Sequence, residues 1–440
     1  MASDLHNKQH NKTQPVVAGA SKQTLMACLI CLLATVFLLY EFILQVAPSV
    51  MTRELMRDLS LSTAGLGAMT AFYYYAYTPM QLPAGLLFDR FGPRRLLTLA
   101  TLACAIGALC FSVATHTIMA STGRLMMGMG SAFAFIGALV LVARWFPPHY
   151  FAVLTGIVQL SASIGAIAGQ APLAAAIQQW GWRETIWGLG LFGLILTALI
   201  WLIVRDAPAT ARVNTSQQTL SFGQELQRLR QVLGHRQTWL ISLYSFAVWA
   251  PVTAFAALWG IPYLVTAYGL STPVASGACG MIWLGIGLGS PLLGWWSDRI
   301  AQRCLPLTCA ALLGLVSTVL IIYWPLSPFW LYVNLFIMGL GATGQALAFG
   351  LVKDNNRPEV TGTAIGFNNM AVVAGGALFQ PLVGWLLNGN GLASTLSTNH
   401  TPIYSLSLYQ HAFIALPLCY LIAAITSHFY LRETHCKPAY

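Results

Sequence analysis

The chain has 440 residues, of which 57% are hydrophobic and only 8% are charged, and its mean hydropathy is +0.67. A soluble domain carries about 25% charged residues, so this chain has too little polar surface to cover itself in water. A helix bundle in a bilayer needs no such cover, because lipid solvates its apolar exterior. The composition therefore excludes a soluble protein and predicts an integral membrane protein.

The formal net charge is +10, yet the basic residues lie in the gaps between apolar runs and form no groove-sized patch. This distribution sets the orientation of a membrane protein and argues against nucleic acid as a partner. The nine cysteines lie in apolar runs or beside basic segments, where cysteine packs as a small hydrophobe. Cys28 and Cys31 have the spacing of a metal or redox pair, but no second pair accompanies them. We therefore predict no metal site.

Twelve apolar stretches, each long enough to cross a hydrocarbon core of about 30 Å as a helix, follow one another along the chain. We number them spans 1 to 12. They are predicted at residues 24–46, 64–86, 95–115, 118–143, 150–176, 184–204, 238–266, 273–296, 305–325, 328–352, 361–387 and 409–431. Span 1 is too long for a signal-peptide core and has no small-residue cleavage site, so it is predicted to remain in the protein.

The loops predict the orientation of the bundle. With the N-terminus inside, 18 of the 22 Lys and Arg residues lie in cytoplasmic segments, that is, all but Arg53, Arg57, Arg183 and Arg124. This is a strong positive-inside signal, so both termini are predicted to be cytoplasmic and the protein to lie in the inner (plasma) membrane. The predicted parts are an N-terminal tail (1–23), a first bundle (24–205), a linker (206–237), a second bundle (238–431) and a C-terminal tail (432–440).

The latter part of the linker, from Phe222 to Trp239, has apolar residues at helical spacing with arginines between them. This pattern is typical of an amphipathic helix on the inner membrane surface. A solvated tether explains the composition equally well. In either interpretation the segment joins two halves.

Three short patterns recur at nearly one offset, which predicts an internal duplication. Asp89-Arg90 recurs as Asp298-Arg299, Met127-Gly128-Met129-Gly130 as Met338-Gly339-Leu340-Gly341, and Thr155-Gly156 as Thr361-Gly362. Each half holds six spans and starts on the same side of the membrane, so the repeats are parallel. We therefore expect an all-α protein of two six-helix, pseudo-symmetric halves, with a substrate site between them near the midplane.

The segment Gly85-Leu-Leu-Phe-Asp89-Arg90-Phe-Gly92-Pro-Arg94-Arg95 resembles the loop 2–3 signature of the major facilitator superfamily, although Pro93 stands where a basic residue is usual. Gly294-Trp-Trp-Ser-Asp298-Arg299 resembles its degenerate second copy, and Arg124-Leu-Met-Met-Gly128-Met-Gly130 resembles the span 4 motif. The resemblance implies a monomer in which Asp89 caps span 11 and Asp298 caps span 5, closing a cytoplasmic gate. The gating residues it implies are Gly85, Asp89, Arg90, Gly92, Arg94, Asp298 and Arg299. Loop charges that only set topology are the alternative.

Two ionisable residues lie inside spans, where each costs about 2.5–3.5 kcal/mol and is functional by default. Glu41 lies in span 1 and Arg124 in span 4, at roughly 8 and 10 Å from the outer ends. Their shared depth would allow them to pair. We predict that Glu41 takes up and releases the coupling proton and that separation from Arg124 changes its proton affinity. A static ion pair between the two spans is the alternative, and the coupling ion is left open between proton and sodium.

Polar and aromatic side chains elsewhere in the spans are candidates to line the substrate cavity. Amides that faced lipid would be costly, whereas tyrosines also anchor spans at the headgroups. The candidates are Tyr40, Tyr74, Gln159, Trp249, Asn334, Asn368 and Asn369. The segment Tyr74-Tyr75-Ala-Tyr77-Thr-Pro-Met-Gln81 resembles bacterial relatives of lysosomal dipeptide transporters.

The sequence contains no Walker motif and no dinucleotide fingerprint, and no loop longer than about 30 residues that would hold a catalytic domain. We therefore predict no enzyme activity and no cofactor. The predicted function is secondary active transport of a small polar organic solute by alternating access, coupled to protons. A proton-driven exporter of drugs or siderophores, and a receptor-like membrane protein that moves no solute, remain as alternatives.

Overall fold

The computed structural model describes residues 17–147, 150–208, 222–388, 395–396, 402–403 and 405–438. These residues are almost entirely helical, apart from two antiparallel two-residue strands, Thr395–Leu396 and Pro402–Ile403. The prediction of an all-α membrane protein with twelve spans is confirmed. The helix predicted in the linker is present at Phe222–Gly234.

Six spans consist of a single helix. They are span 2 (Thr63–Phe91), span 3 (Pro93–Ser112), span 6 (Trp182–Ile203), span 8 (Thr272–Ile300), span 9 (Cys304–Tyr323) and span 11 (Thr361–Asn388). Spans 2, 8 and 11 are 28 or 29 residues long.

The other six spans break or change helix type. Span 1 (Val17–Val46) continues as a 3₁₀-helix (Ala47–Val50). Three spans each consist of two helices: span 4 (Thr117–Ser131, Ala134–Trp145), span 5 (Phe151–Ala168, Ala171–Trp180) and span 10 (Pro328–Ala342, Gly344–Asn355). Span 7 has a π-helical segment, Val252–Trp259, between Arg236–Pro251 and Gly260–Tyr268. Span 12 consists of Leu406–Ala412, Ala415–Ile425 and a π-helical end, Thr426–Tyr430. A short helix, Thr52–Asp58, follows span 1.

Among the described residues, eleven spans are both long and apolar enough to cross a membrane by themselves. Span 2 is equally long but less apolar, since it carries Tyr73, Tyr74, Tyr77 and Gln81. It packs against span 11 along its length, and these four side chains are buried. The polar face of span 2 therefore meets protein instead of lipid.

Span 2 continues to Phe91, beyond its predicted end at 86, so the first part of the loop 2–3 signature is helical. The chain turns at Gly92, whose φ of 76° favours glycine. A Cβ at this position would also lie 2.6 Å from Oδ1 of Asp206. Gly92 therefore allows both the turn and the close approach of the residue that follows span 6.

The two halves meet along span 2 with span 11 and along span 5 with span 8. We call the side that carries the linker helix, links 2–3 and 8–9 and residues 432–438 the linker face. On the opposite face, the 3₁₀-helical end of span 1 contacts the π-helical segment of span 7. Contact between the halves therefore extends to the opposite face through the ends of spans 1 and 7.

Candidate functional site

The buried charges of the first half surround one tyrosine. The Tyr73 hydroxyl donates a hydrogen bond to Oε2 of Glu41 (2.8 Å), and the Arg124 guanidinium lies 4.6 Å from the centroid of the same ring. Glu41 and Arg124 are each only 1% exposed. Span 4 approaches span 2 this closely because a Cβ at Gly128 would overlap the Tyr73 carbonyl oxygen. Spans 1, 2 and 4 therefore bring an acid, a phenol and a guanidinium together.

The Arg124 guanidinium is held by the end of span 1. Its Nη1 donates to the Leu44 carbonyl (2.7 Å), and its Nη2 donates to the Gln45 carbonyl (3.4 Å). The helical partner of the Leu44 carbonyl would be the N–H of residue 48, but Pro48 has none. The proline therefore leaves an acceptor that fixes the arginine.

The expected direct pairing of Glu41 with Arg124 is not what the structure shows. Among the described residues no ion pair joins them, and no carboxylate contacts Arg124. Tyr73 lies between the two charges instead. In addition, Arg124 Nε is buried without a hydrogen-bond partner. The site thus contains a buried cation with unused donor capacity.

A polar layer from both halves lies beside this cluster. Tyr74 of span 2 is next to Gln45 of span 1 and Gln380 of span 11, and its ring lies where a side chain at Gly376 would be. The Tyr74 hydroxyl, Gln45 Oε1 and Gln380 Oε1 are buried without hydrogen-bond partners. The predicted cavity residue Tyr74 thus lies between the halves, where a solute would contact both.

Two amides of span 11 lie nearer the linker face. Asn369 Nδ2 donates to Oε1 of Gln81 in span 2 (2.6 Å), which links the halves. The neighbouring Asn368 is fully buried, and both of its amide atoms lack partners. Both predicted amides therefore lie inside the protein, and Asn368 keeps its full hydrogen-bonding capacity.

Aromatic rings occupy the corresponding region of the second half. Trp249 and Trp283 form an edge contact with ring centroids 6.2 Å apart, and Trp283 also meets Phe42 of span 1 at 6.0 Å. The Trp283 Nε1 is buried without an acceptor. The predicted residue Trp249 is thus part of an aromatic group that contacts the first half at Phe42.

Two predicted cavity residues, Tyr40 and Asn334, are not brought to this centre. Tyr40 points toward span 6, where its hydroxyl lies against Gly193 and its ring is 5.6 Å from Phe192. Asn334 donates to the Trp330 carbonyl of its own helix (2.8 Å), and Gln159 is half-buried on span 5. Adjacent residues of a helix point about 100° apart, so Tyr40 and Glu41 face different neighbours.

The predicted gating residues lie at the linker face. Arg94 N–H donates to Oδ1 of Asp206 (2.9 Å), while Arg90 and Arg299 lie over Phe91 and Trp295 of their own helices. Gly85 is exposed, with open space around it, and the Asp89 side chain lies outside the described part of the structure.

Asp298 is 70% exposed and accepts a hydrogen bond from Arg303 Nη1 (2.9 Å). Among the described side chains it makes no hydrogen bond to span 5. The proposed caps of spans 5 and 11 therefore stay predictions.

Comparison with known proteins decides the family. The profile of the Major Facilitator Superfamily matches residues 25–381, with a second match over 253–435. The chain belongs to the Major Facilitator Superfamily. The resemblance inferred from the loop and span 4 motifs is thereby confirmed.

Several members of the superfamily are similar to this chain over most of its length. The protein named "Probable galactarate/D-glucarate transporter GudP" of Escherichia coli (strain K12) is 25% identical over 409 residues, covering 85% of this chain and 88% of its own. The "Gentisate transporter" of Corynebacterium glutamicum is 23% identical over 397 residues, covering 85% and 84%. A solved bacterial homologue of the human lysosomal transporter Spinster, in an inward-facing and unoccupied conformation, has a TM-score of 0.72 at 17% identity, covering 92% and 96%. These superfamily relatives are transporters and not enzymes.

Sequence reasoning did not select Gln45, Gln81 or Gln380, and it gave Tyr73 no role beside Glu41. Each glutamine lies in a span, where an amide exposed to lipid would be costly, so a census of buried amides would have found them. The contact of Tyr73 with both charges depends on the crossing of spans 2 and 4. That crossing is set by packing at Gly128 and is not visible in residue spacing.

Proposed function

We propose that this chain is a proton-coupled transporter that moves a small organic anion by alternating access, with Arg124 binding the anionic group and Glu41 carrying the proton. The observation that supports this most is the buried Arg124 guanidinium, which is held by two carbonyls but contacts no carboxylate among the described residues. A buried guanidinium that no carboxylate contacts is costly, and a solute carboxylate would supply that contact. Two of the relatives above are named a probable galactarate/D-glucarate transporter and a gentisate transporter, and these names favour organic acids over dipeptides.

Charge balance explains why such a solute would travel with a proton. The empty site holds one positive charge on Arg124 and one negative charge on Glu41, so its sum is zero. A monoanionic solute bound beside Arg124 makes the sum −1, which is unfavourable in a buried site. Protonation of Glu41 restores zero. For a monoanion, the loaded and empty sites are therefore both neutral when one proton accompanies the solute, and both can be enclosed during alternating access.

Tyr73 lies where it can link binding of the anion at Arg124 to protonation of Glu41. Its hydroxyl donates to Glu41 while its ring contacts Arg124, so an anion that binds the guanidinium disturbs the surroundings of the acid. When Glu41 is protonated it no longer needs that donor, and the Tyr73 hydroxyl becomes available to the solute. The coupling thus needs no direct ion pair between Glu41 and Arg124.

We also propose the orientation that the loop charges predict. Both termini would be cytoplasmic, so the linker face would face the cytoplasm and Glu41 would lie nearer the outer surface. The 24–205 and 238–431 bundles would move against each other about the centre. The protein would act as a monomer in the inner membrane.

Uptake by purified protein in proteoliposomes tests the proposal. Galactarate, D-glucarate and gentisate are offered with an inward proton gradient and without one. We expect accumulation of at least one organic acid under the gradient, and loss of this accumulation in Glu41→Gln while exchange of solute for solute continues. Glu54→Gln, in the short helix after span 1, is the matched control and should behave as the unchanged protein.

Three results separate the alternatives. Equal uptake with and without the proton gradient, but dependence on a sodium gradient, would replace the proton with sodium. Proton-driven movement of larger apolar cations, with no response to organic acids, would favour the drug exporter. Binding of an acid without accumulation or exchange would identify a receptor-like protein.

A further inference from the structure

Three buried glutamine side chains lie where the two halves meet, beside Tyr74 or the π-helical segment of span 7. Gln170, Gln380 and Gln45 are 0%, 1% and 6% exposed, and each amide oxygen is buried without a hydrogen-bond partner among the described residues. We propose that these oxygens accept hydrogen bonds from hydroxyl groups of the transported solute, which is therefore a hydroxylated organic acid. This solute class rests on the proposed function, which supplies the acid group, and the glutamines add the hydroxyl groups.

Backbone carbonyls of span 7 fix the orientation of two of these amides. Gln380 Nε2 donates to the Thr253 carbonyl (3.0 Å), and Gln170 Nε2 donates to the Ala256 carbonyl (3.1 Å). A carbonyl oxygen only accepts hydrogen bonds, so the nitrogen of each amide must face it. The amide oxygen lies on the other side of the terminal carbon and points away from that carbonyl. Each of these two glutamines therefore presents an acceptor away from span 7.

The glutamines lie next to the site proposed for the acid group. Gln380 of span 11 and Gln45 of span 1 are both neighbours of Tyr74. The backbone carbonyl of Gln45 accepts a hydrogen bond from Arg124 Nη2 (3.4 Å). Span 5 packs against the same turn of span 1 at the residue before Gln170. A solute whose carboxylate meets Arg124 would therefore bring its adjoining carbons to these acceptors.

The neighbouring tyrosine cannot satisfy all three acceptors. The Tyr74 hydroxyl carries a single hydrogen, so it can donate to at most one of the glutamine oxygens. At least two acceptors are then left for the solute, and a buried acceptor without a donor is unfavourable. A carboxylate accepts hydrogen bonds and donates none, so an acid without further polar groups would leave these oxygens unpaired. Hydroxyl groups on the solute would supply the missing donors.

Unpaired donors in the second half favour hydroxyl groups over other donors. Trp283 Nε1 and Asn368 Nδ2 are buried without acceptors among the described residues. A hydroxyl group donates one hydrogen bond and also accepts, so a hydroxylated chain can pair with the glutamine oxygens and with these N–H groups. An ammonium group has donors and no acceptor, so it would match the glutamines alone. The mixture of unpaired donors and acceptors therefore fits a hydroxy acid better than an amino acid.

Binding of matched solute pairs to the purified full chain in detergent tests the proposal. The two members of a pair share their carbon skeleton and acid groups and differ only in hydroxyl groups. The pairs are galactarate with adipate, and gentisate with benzoate. Affinity is obtained from the rise of the unfolding midpoint with solute concentration, since a ligand of the folded protein raises that midpoint. We expect the hydroxylated member of at least one pair to bind about fivefold tighter or more, the effect of one hydrogen bond.

Variants that remove one acceptor assign the preference to the glutamines. Gln380→Met should lower the affinity ratio of the hydroxylated to the unhydroxylated acid about fivefold, and Gln45→Met should do the same. Loss of the amide bond to the Thr253 carbonyl affects both members of a pair alike, so the ratio reports the contact with the solute. Gln410→Met is the matched control, because Gln410 Nε2 also donates to a backbone carbonyl, that of Ile322 (3.0 Å), near the opposite face. It should leave the ratio unchanged.

The results separate this proposal from the proposed function. Equal affinities within both pairs, or equal weakening of both members in Gln380→Met, would overturn the hydroxyl contacts. If the acids still bind and Arg124→Gln weakens them, the acid site stands without the hydroxyl contacts. Galactitol, the neutral alcohol with the carbon chain of galactarate, tests the converse. Its binding through Gln380 without binding of any acid would support the hydroxyl contacts and overturn the proposed function, and binding of none of these solutes would overturn both.

Discussion

The two halves cross their second and fourth spans in the same way but place different chemistry at the crossing. In the first half a Cβ at Gly128 would overlap the Tyr73 carbonyl oxygen, and in the second half a Cβ at Gly339 would overlap that of Ile282. One helical turn before each glycine stands Arg124 in the first half and Leu335 in the second. The crossing of spans 2 and 4 thus has the same close packing as that of spans 8 and 10, but only the first of these crossings contains a charged residue.

The two halves therefore offer different chemical groups to a solute. Glu41, Tyr73 and Arg124 provide a proton acceptor, a bridging hydroxyl and a cation, whereas Ile282 and Leu335 are fully buried apolar residues. The second half contributes the rings of Trp249 and Trp283 and the amides of Asn368 and Gln380. We therefore expect the first half to hold the anionic group and the proton, and the second half to contact the rest of the solute.

The largest predicted effect comes from removing the cation of the first half. Arg124→Gln should lower kcat/KM for organic-acid uptake by roughly 30-fold or more. The change removes the partner of the solute's anionic group, and loss of one partner of a buried charge pair costs about 2–5 kcal/mol. Uptake in proteoliposomes measures it.

Arg183→Gln is the matched control. Arg183 also donates to two carbonyls, of Ser112 (3.0 Å) and Ala114 (2.7 Å), and lies over a ring, that of Trp182. It lies near the opposite face and away from the centre, so its loss should lower stability but leave the KM of the folded protein unchanged. Equal loss of transport in both variants would show that Arg124 only holds the helices together.

The twelve spans and their duplication can be predicted from the sequence, but the side-chain contacts between the spans cannot. Apolar runs and loop arginines predict twelve spans, because lipid imposes length and hydropathy on each of them. Cost in lipid likewise makes Glu41 and Arg124 candidates for a functional role. Their separation by Tyr73 and the rotation of Tyr40 toward span 6 depend on how neighbouring helices pack. Pro48 is visible in the sequence, but the guanidinium that uses the freed Leu44 carbonyl belongs to a helix 80 residues away.

The second prediction concerns the proton acceptor. If one proton moves with each solute molecule, a gradient of one pH unit supports at most about tenfold accumulation of the solute. The free energy of moving a proton down one pH unit and that of a tenfold concentration ratio are both about 1.4 kcal/mol. Uptake should therefore rise as the pH on the entry side falls. In Glu41→Gln the accumulation ratio should be about one at every pH gradient, since a glutamine accepts no proton. Retention of the tenfold ratio in this variant would move the proton to another group.

The third prediction tests whether the two crossings are equivalent in packing. Gly128→Ala and Gly339→Ala should each lower stability by about 1–3 kcal/mol, because a methyl group at either position forces the helices apart. Thermal unfolding in detergent measures this. Transport per folded molecule should fall more in Gly128→Ala, since that change displaces Tyr73 from Glu41. Gly156→Ala is the control, because nothing lies within 4 Å of a Cβ there; a loss of stability in it equal to the other two would remove the close crossing as the cause.

The smallest predicted effect concerns the aromatic residues of the second half. Trp283 Nε1 is a buried donor without an acceptor, so Trp283→Phe should leave stability unchanged or slightly raised. Affinity for the transported acid should fall about fivefold, because a hydrogen bond of about 1 kcal/mol from this N–H to the solute is lost. Trp295→Phe, on the exposed surface of span 8, is the control and should change neither quantity. If affinity stays the same in Trp283→Phe, the N–H does not meet the solute, and the second half contributes apolar contact at this position instead of polar recognition.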